Sequence, residues 1–201
     1  MTLDPWPCAD PDCCYRPDDP RRLILVVGGF LDWHTRCVRN TAARLARTRH
    51  YGPHTALLYQ RWRTVVRGAD GIDALVRQAA ETLPVDLVGF SYGGHAVWAL
   101  ARRLRVPVRR LVTIDAVSWH GRLRPAPRPD SVDQWINVYQ RGIAGGPDVL
   151  ALLGGHWLHA PKADHNLIVP DVRHESFDPM LAAAASVDGA ADLDPGSSQN
   201  A

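Results

Sequence analysis

Ser91 stands in the run Gly89-Phe90-Ser91-Tyr92-Gly93-Gly94, which matches Gly-x-Ser-x-Gly. That spacing suits nucleophilic chemistry when a strand leads into it and a helix leads out. The serine then occupies a tight, positive-φ turn that lifts its Oγ clear of the sheet. Small residues two positions to either side keep the neighbouring strand and helix from colliding. Both flanks fit: Val85 to Phe90 is a mostly apolar run, and Gly93 to Leu104 has helical character. A helix beginning at Tyr92 would also aim its first N–H groups and positive dipole end at charge developing on a substrate. The spacing is neither Gly-x-Gly-x-x-Gly nor Gly-x4-Gly-Lys, so it is not a nucleotide-phosphate loop.

A serine hydroxyl needs a base to take its proton, and the base needs an orienting partner. Asp115 ends the apolar run Leu111-Val112-Thr113-Ile114 and so offers a carboxylate at a strand end, with Asp148 and Asp164 as outside candidates. Nine histidines compete for the role of base. His174 follows the last apolar run and a Val-Pro-Asp-Val-Arg loop, and it precedes the closing helical stretch. His165 is the next candidate, then His156 or His159. Those three with Asp164 could also form a metal cluster, but their spacing fits no strong zinc pattern and no metal is expected. His95 is expected to pack or cap inside its helix, while His34 and His120 sit near strand ends where a substrate could touch them.

The rest of the chain must position these groups. Leu23 to Val27, ending in Gly28-Gly29, reads as a strand buried on both faces. A helix is expected over 34–48, a strand over 55–59, and a helix capped by Asp70 with Ile72, Leu75, Val76, Ala79 and Leu83 on one face. Strands follow at 85–90, 110–114, 135–139 and 166–169, and a closing helix at 178–187, capped near Asp178. This alternation predicts an α/β fold: a mostly parallel central sheet with helices on both faces. Residues 1–20 read as an irregular Cys/Pro/Asp-rich lead-in, 21–187 as the folded domain, and 188–201 as a disordered tail. The Arg/Pro-rich 117–133 and the Gly/His/Trp-rich 142–165 follow strands, which places them at the carboxyl edge where such sheets bind ligands.

With these elements around it, the stretch 23–187 resembles the α/β-hydrolase superfamily. The resemblance implies the order Ser, acid, His, and hence Ser91, Asp115 and His174 as nucleophile, orienting acid and base. Most members carry the acid one strand later, and some lipase-like members use the position of Asp115. It further implies an oxyanion hole from the N–H of Tyr92 and of Phe30, although Val27 stands where a histidine usually precedes the glycines. The activity it implies is hydrolysis of a small-molecule ester or thioester, with no cofactor and minimal or no lid. An acyltransferase with the same three residues, or a silent fold used for binding, are the alternatives. Leu31, Trp33 and Trp119, with Trp62 and Trp157 near other strand exits, are candidates to line an apolar pocket.

Composition narrows the class. With 46% apolar and 22% charged residues the chain reads as an ordinary globular protein, and a net charge of +2 gives no reason to expect nucleic acid. No run approaches the roughly 18 apolar residues of a membrane span. The first residues show no basic segment followed by an apolar one, so a cytoplasmic protein is expected. Cys8, Cys13, Cys14 and Cys37 are then expected as free thiols. The arginine pairs 102–103 and 109–110 are expected on solvated faces.

Overall fold

The apolar run at 23–27 is long enough for one strand and too short for a helix, and it forms the body of β1 (Arg22–Gly28). It heads a computed structural model that describes residues 7–8, 11–30, 32–69, 71–118, 127–141 and 155–187. The other elements are β2 (Thr55–Arg61), β3 (Val85–Phe90), β4 (Val108–Ile114), β5 (Val117–Ser118), β6 (Val132–Arg141), β7 (Gly155–His156) and β8 (His165–Pro170). The helices are α1 (Asp32–Thr35), α2 (Cys37–Thr48), α3 (Trp62–Arg67), α4 (Ile72–Ala80), α5 (Tyr92–Leu104) and α6 (Phe177–Ser186).

Six strands form one parallel sheet in the order β2-β1-β3-β4-β6-β8. Alternate residues of each strand feed two cores. Leu23, Leu25 and Val27 pack with α3, α4 and α5, while Ile24 and Val26 pack with α2 and α6. The sheet is therefore covered on both faces, as the alternation of elements predicts. β5 and β7 form a separate antiparallel pair at the carboxyl end.

Several expectations need correction. The helix expected over 34–48 is two pieces, broken where Arg36 adopts φ 55°. The buried Asp32 explains the break: its Oδ1 accepts the Val38 N–H at 2.9 Å, capping α2 from outside, and its Oδ2 accepts the Tyr59 hydroxyl. Helix α3, absent from the sequence reading, follows β2 directly. Asp178 is inside the first turn of α6 and accepts from Thr41 Oγ1 (2.5 Å) and Arg44 (3.0 Å) rather than capping. Arg109 is not on a solvated face. With Arg22 it neutralises Asp86, which is buried in β3; Arg109 Nε lies 2.9 Å from that carboxylate and Arg22 Nε 2.9 Å. Arg103 pairs with Asp73 at 2.8 Å, and Arg102 lies over the Trp98 ring.

The lead-in is also more ordered than its composition suggests. Tyr15 exchanges both backbone hydrogen bonds with Leu57 at 2.8 Å, covering the exposed edge of β2. The 3-10 turn Pro11–Cys13 buries Cys13 and brings Cys8 and Cys14 together in a disulfide, Cα–Cα 6.4 Å. Free thiols were expected there; only Cys13 and Cys37 remain thiols. Burial pushes the Cys37 thiol up to about 11. No helix among the described residues is long and apolar enough to cross a membrane. The Asp70 cap, the 188–201 tail, and the segments 119–126 and 142–154 that bear on a lid lie outside the described residues.

Candidate active site

Parallel register sets up the site before any side chain is considered. Phe90 of β3 pairs with Ile114 of β4, and Ile114 with Val138 of β6, so residues 91 and 115 leave adjacent strands at one level. Ser91 takes φ 56° and ψ −125° between β3 and α5, donates its N–H to the Ile114 carbonyl at 2.9 Å, and accepts from Gly94 N and Val117 N. Asp115 also has positive φ, 43°, and its N–H donates to the Val138 carbonyl at 2.7 Å. Both turns are thus strained and pinned by backbone bonds.

The glycines around Ser91 are sterically required. A Cβ on Gly89 would lie 2.2 Å from the Gly93 carbonyl oxygen, and one on Gly93 would lie 2.2 Å from that of Val27. Gly93→Ala must displace β1 backbone, so we expect a loss of about 3 kcal/mol. In a chain this size that is roughly a 6–12 °C drop in thermal midpoint, readable by calorimetry.

The structure brings Ser91, Asp115 and His174 together. The Ser91 hydroxyl is 3.0 Å from His174 Nε2, and His174 Nδ1 is 2.5 Å from Asp115 Oδ2. An anionic carboxylate only accepts, so Nδ1 carries the proton and Nε2 is left to accept from the serine. All three side chains are buried. His174 comes from the loop between β8 and α6, where its ring lies 4.9 Å from that of Phe90, which in turn meets Phe177.

A second histidine, His156 of β7, is 2.5 Å from Asp115 through Nε2, on the other carboxylate oxygen. The sequence reading ranked it only as a remote alternative base. Its position follows from β5–β7 pairing, in which Val117 faces His156, and strands of two residues have no periodicity to read. Burial alone would raise the Asp115 carboxyl, but hydrogen bonds from His156 and then His174 outweigh it and hold it below the ordinary carboxylate value.

The other candidates lie elsewhere. His165 is exposed at the start of β8, and His159 is also exposed. Asp164 binds Arg128 (2.7 Å) and the Trp135 N–H (2.7 Å); burial would raise its carboxyl, and these partners lower it. Among the described residues no group of three or more His, Cys, Asp or Glu side chains is arranged to hold a metal. His95 packs against Trp98 and Trp157, and His34 lies beside the exposed Trp33. Trp157 is core rather than pocket: it is buried and donates Nε1–H to Ser118 at 2.6 Å. Leu31, Trp119, His120 and Asp148 lie outside the described residues.

The loop after β1 passes over the serine. A Cβ on Gly29 would meet Ser91 Cβ at 2.7 Å and Oγ at 3.2 Å, so the backbone leading into Phe30 runs beside the hydroxyl. Tyr92 opens α5 on the other side. The rings of Phe30, Trp62 and Tyr92 cluster with centroids 5.5 to 6.3 Å apart, which ties this loop to α3 and α5. Burial raises the Tyr92 hydroxyl above its ordinary value.

No protein-family model matches the chain, and no curated protein matches it. Solved structures do. Est1E from Butyrivibrio proteoclasticus is 13% identical over 87% of this chain and 89% of its own, with a TM-score of 0.52. An alpha-beta serine hydrolase homologue from Coxiella burnetii is 14% identical over 87% of each chain, TM-score 0.50. An α/β serine hydrolase without lid from Xanthomonas campestris aligns at 20% identity over 85% of this chain and 81% of its own, TM-score 0.49. At these identities the likeness concerns architecture, and that to the first two agrees with the strand order and two-sided helix cover described above: the chain has the α/β-hydrolase fold.

Proposed function

We propose that this protein is a serine hydrolase that cleaves a carboxylic ester or thioester of a small molecule through an acyl-enzyme on Ser91. The observation that carries the reading is the unbroken hydrogen-bonded line from Ser91 Oγ through His174 to Asp115. Ser91 attacks the carbonyl as His174 Nε2 takes its proton. His174 then returns that proton to the leaving alcohol or thiol, and in the second half-reaction activates water. Asp115 holds the ring in the productive tautomer and stabilises the imidazolium. The N–H groups of Tyr92 and Phe30 hold the oxyanion, and the Phe30–Trp62–Tyr92 cluster forms an apolar wall suited to an acyl chain. The Cys8–Cys14 disulfide favours an oxidising compartment over the cytosol, so the expected cytoplasmic location is not carried into this reading.

The test is turnover of p-nitrophenyl esters and acyl thioesters of graded chain length, measured across pH. General-base catalysis fails when the imidazole is protonated, so kcat/KM is expected to rise with pH along a limb set by the base. Asp115, held low, adds no limb there. Because its folded value lies below its unfolded one, its contribution to stability is complete above about pH 4 and is lost only as pH falls below that. Absence of turnover across the panel, or a rate independent of pH, would count against the reading.

A further inference from the structure

His156 is not needed for the proton relay, yet it makes one of the two shortest contacts to the acid. His174 takes Asp115 Oδ2 at 2.5 Å, and His156 Nε2 takes Oδ1 at the same distance. Oδ1 also accepts the Gln140 N–H at 3.4 Å, a long bond that fixes little. Without His156 the carboxylate would be free to turn about its own axis and leave Oδ2 poorly aimed at His174.

The local fold is arranged to deliver this ring. β5 begins two residues after Asp115, and Val117 pairs with His156, while the Trp157 N–H donates to the Ala116 carbonyl at 2.8 Å. The His156 side chain is nine-tenths buried, and among the described residues its Nδ1 meets no hydrogen-bond partner. A histidine kept only to knit two strands would ordinarily have both ring nitrogens satisfied. Here the whole polar capacity of the ring is directed through Nε2 to Asp115. The titratable groups acting on Asp115 are His156 from β7 and His174 from the β8–α6 loop, and β6 contributes a backbone N–H.

We propose that His156 is a positioning residue for this site, pinning Asp115 Oδ1 so that Oδ2 stays on His174 and sharing the carboxylate charge with it. The proposal rests on the hydrolase reading for its kinetic consequence, but its structural claim can be read without a substrate. With His156 gone, more of the Asp115 charge falls on His174, which favours the imidazolium.

The variants are His156→Phe, which removes the donor, and His156→Gln, whose Nε2 amide reaches the same distance from Cβ. For His156→Phe, kcat is expected to fall about 10–100-fold with KM within about twofold, the range for loss of a partner that orients a catalytic ligand. Its acid limb of kcat/KM is expected to move up by about one pH unit. His156→Gln is expected to recover kcat to within about threefold and to restore the limb, because an amide N–H again donates to Oδ1. In proton NMR of the resting protein, the low-field His174 Nδ1–H resonance is expected to broaden or shift in His156→Phe and to hold its position in His156→Gln. Equal kcat and an unmoved limb in His156→Phe, or a His174 resonance identical in all three proteins, would overturn the proposal. So would equal loss in Phe and Gln variants of unchanged thermal midpoint. A wild type that neither turns over ester nor labels at Ser91 would instead remove the hydrolase reading, and the resonance then decides the role of His156 by itself.

Discussion

Replacing Ser91 with alanine is expected to lower kcat for ester hydrolysis by about 100,000- to 1,000,000-fold while leaving the protein folded. The magnitude is that of removing the nucleophile from a unit whose members act together, where any residual rate comes from the oxyanion site and binding alone. The fold should survive because the backbone at 91 is set by main-chain bonds to Ile114, Gly94 and Val117, none of which involves the hydroxyl. Alanine meets the same positive-φ strain as serine, so the thermal midpoint should move little. KM is expected to change only modestly, since the Phe30–Trp62–Tyr92 cluster, proposed as the acyl wall, is untouched. A stopped assay with long incubation, alongside a melting curve, separates loss of chemistry from loss of structure.

Asp115→Asn is expected to lower kcat by about 10,000-fold. The substitution is nearly isosteric, so the argument turns on donors and acceptors. Asp115 accepts from two imidazoles at once, one on each oxygen. An asparagine has a single acceptor oxygen, and its NH2 must face one of the rings. If the NH2 faces His174, that ring has to accept at Nδ1 and carry its proton on Nε2, where it can no longer take the serine proton. If the oxygen faces His174, His156 must move its proton to Nδ1 to accept from the NH2, and the neutral amide no longer stabilises the imidazolium that forms at His174. Either way the loss exceeds that of a neutral surface change. The tautomers report directly: histidine nitrogen chemical shifts in Asp115→Asn should show His174 or His156 with its proton moved to the other ring nitrogen. Wild-type tautomers at both rings, with wild-type kcat, would contradict the arrangement.

These two outcomes rest on residues of unequal legibility. Ser91 was readable because three local signals agree: a strand run, a Gly-x-Ser-x-Gly turn and a helix. The distances to the glycine Cβ positions show why small residues must stand there. The parallel sheet was readable for the same reason, since β1 to β4 are short, mostly apolar runs separated by helix-bearing segments. Asp115 and His174 were readable as strand-end and loop positions, and the register Phe90–Ile114–Val138 is what brings the acid level with the serine.

What escaped the sequence reading depended on contacts between distant segments. Asp32 breaks the first helix because its carboxylate serves Val38 and Tyr59 together, which no local propensity records. Asp86 sits in an otherwise apolar strand, and only the folded chain shows that Arg22 and Arg109 flank it. Cys8 and Cys14 pair because a turn of one 3-10 helix folds the lead-in back, a contact that the expectation of free thiols did not include. His156 was hidden because two-residue strands carry no pattern. The Gly-His-Trp run signalled proximity to the sheet's carboxyl edge and nothing finer.

The central claim is that Ser91 forms a covalent acyl-enzyme, and active-site labelling with a fluorophosphonate tests it most directly. Intact-mass and peptide analysis of wild type, Ser91→Ala and His174→Ala should find one adduct, on Ser91, in the wild type only. An adduct of equal yield in Ser91→Ala, or one mapped to any other residue of folded wild type, would contradict the account.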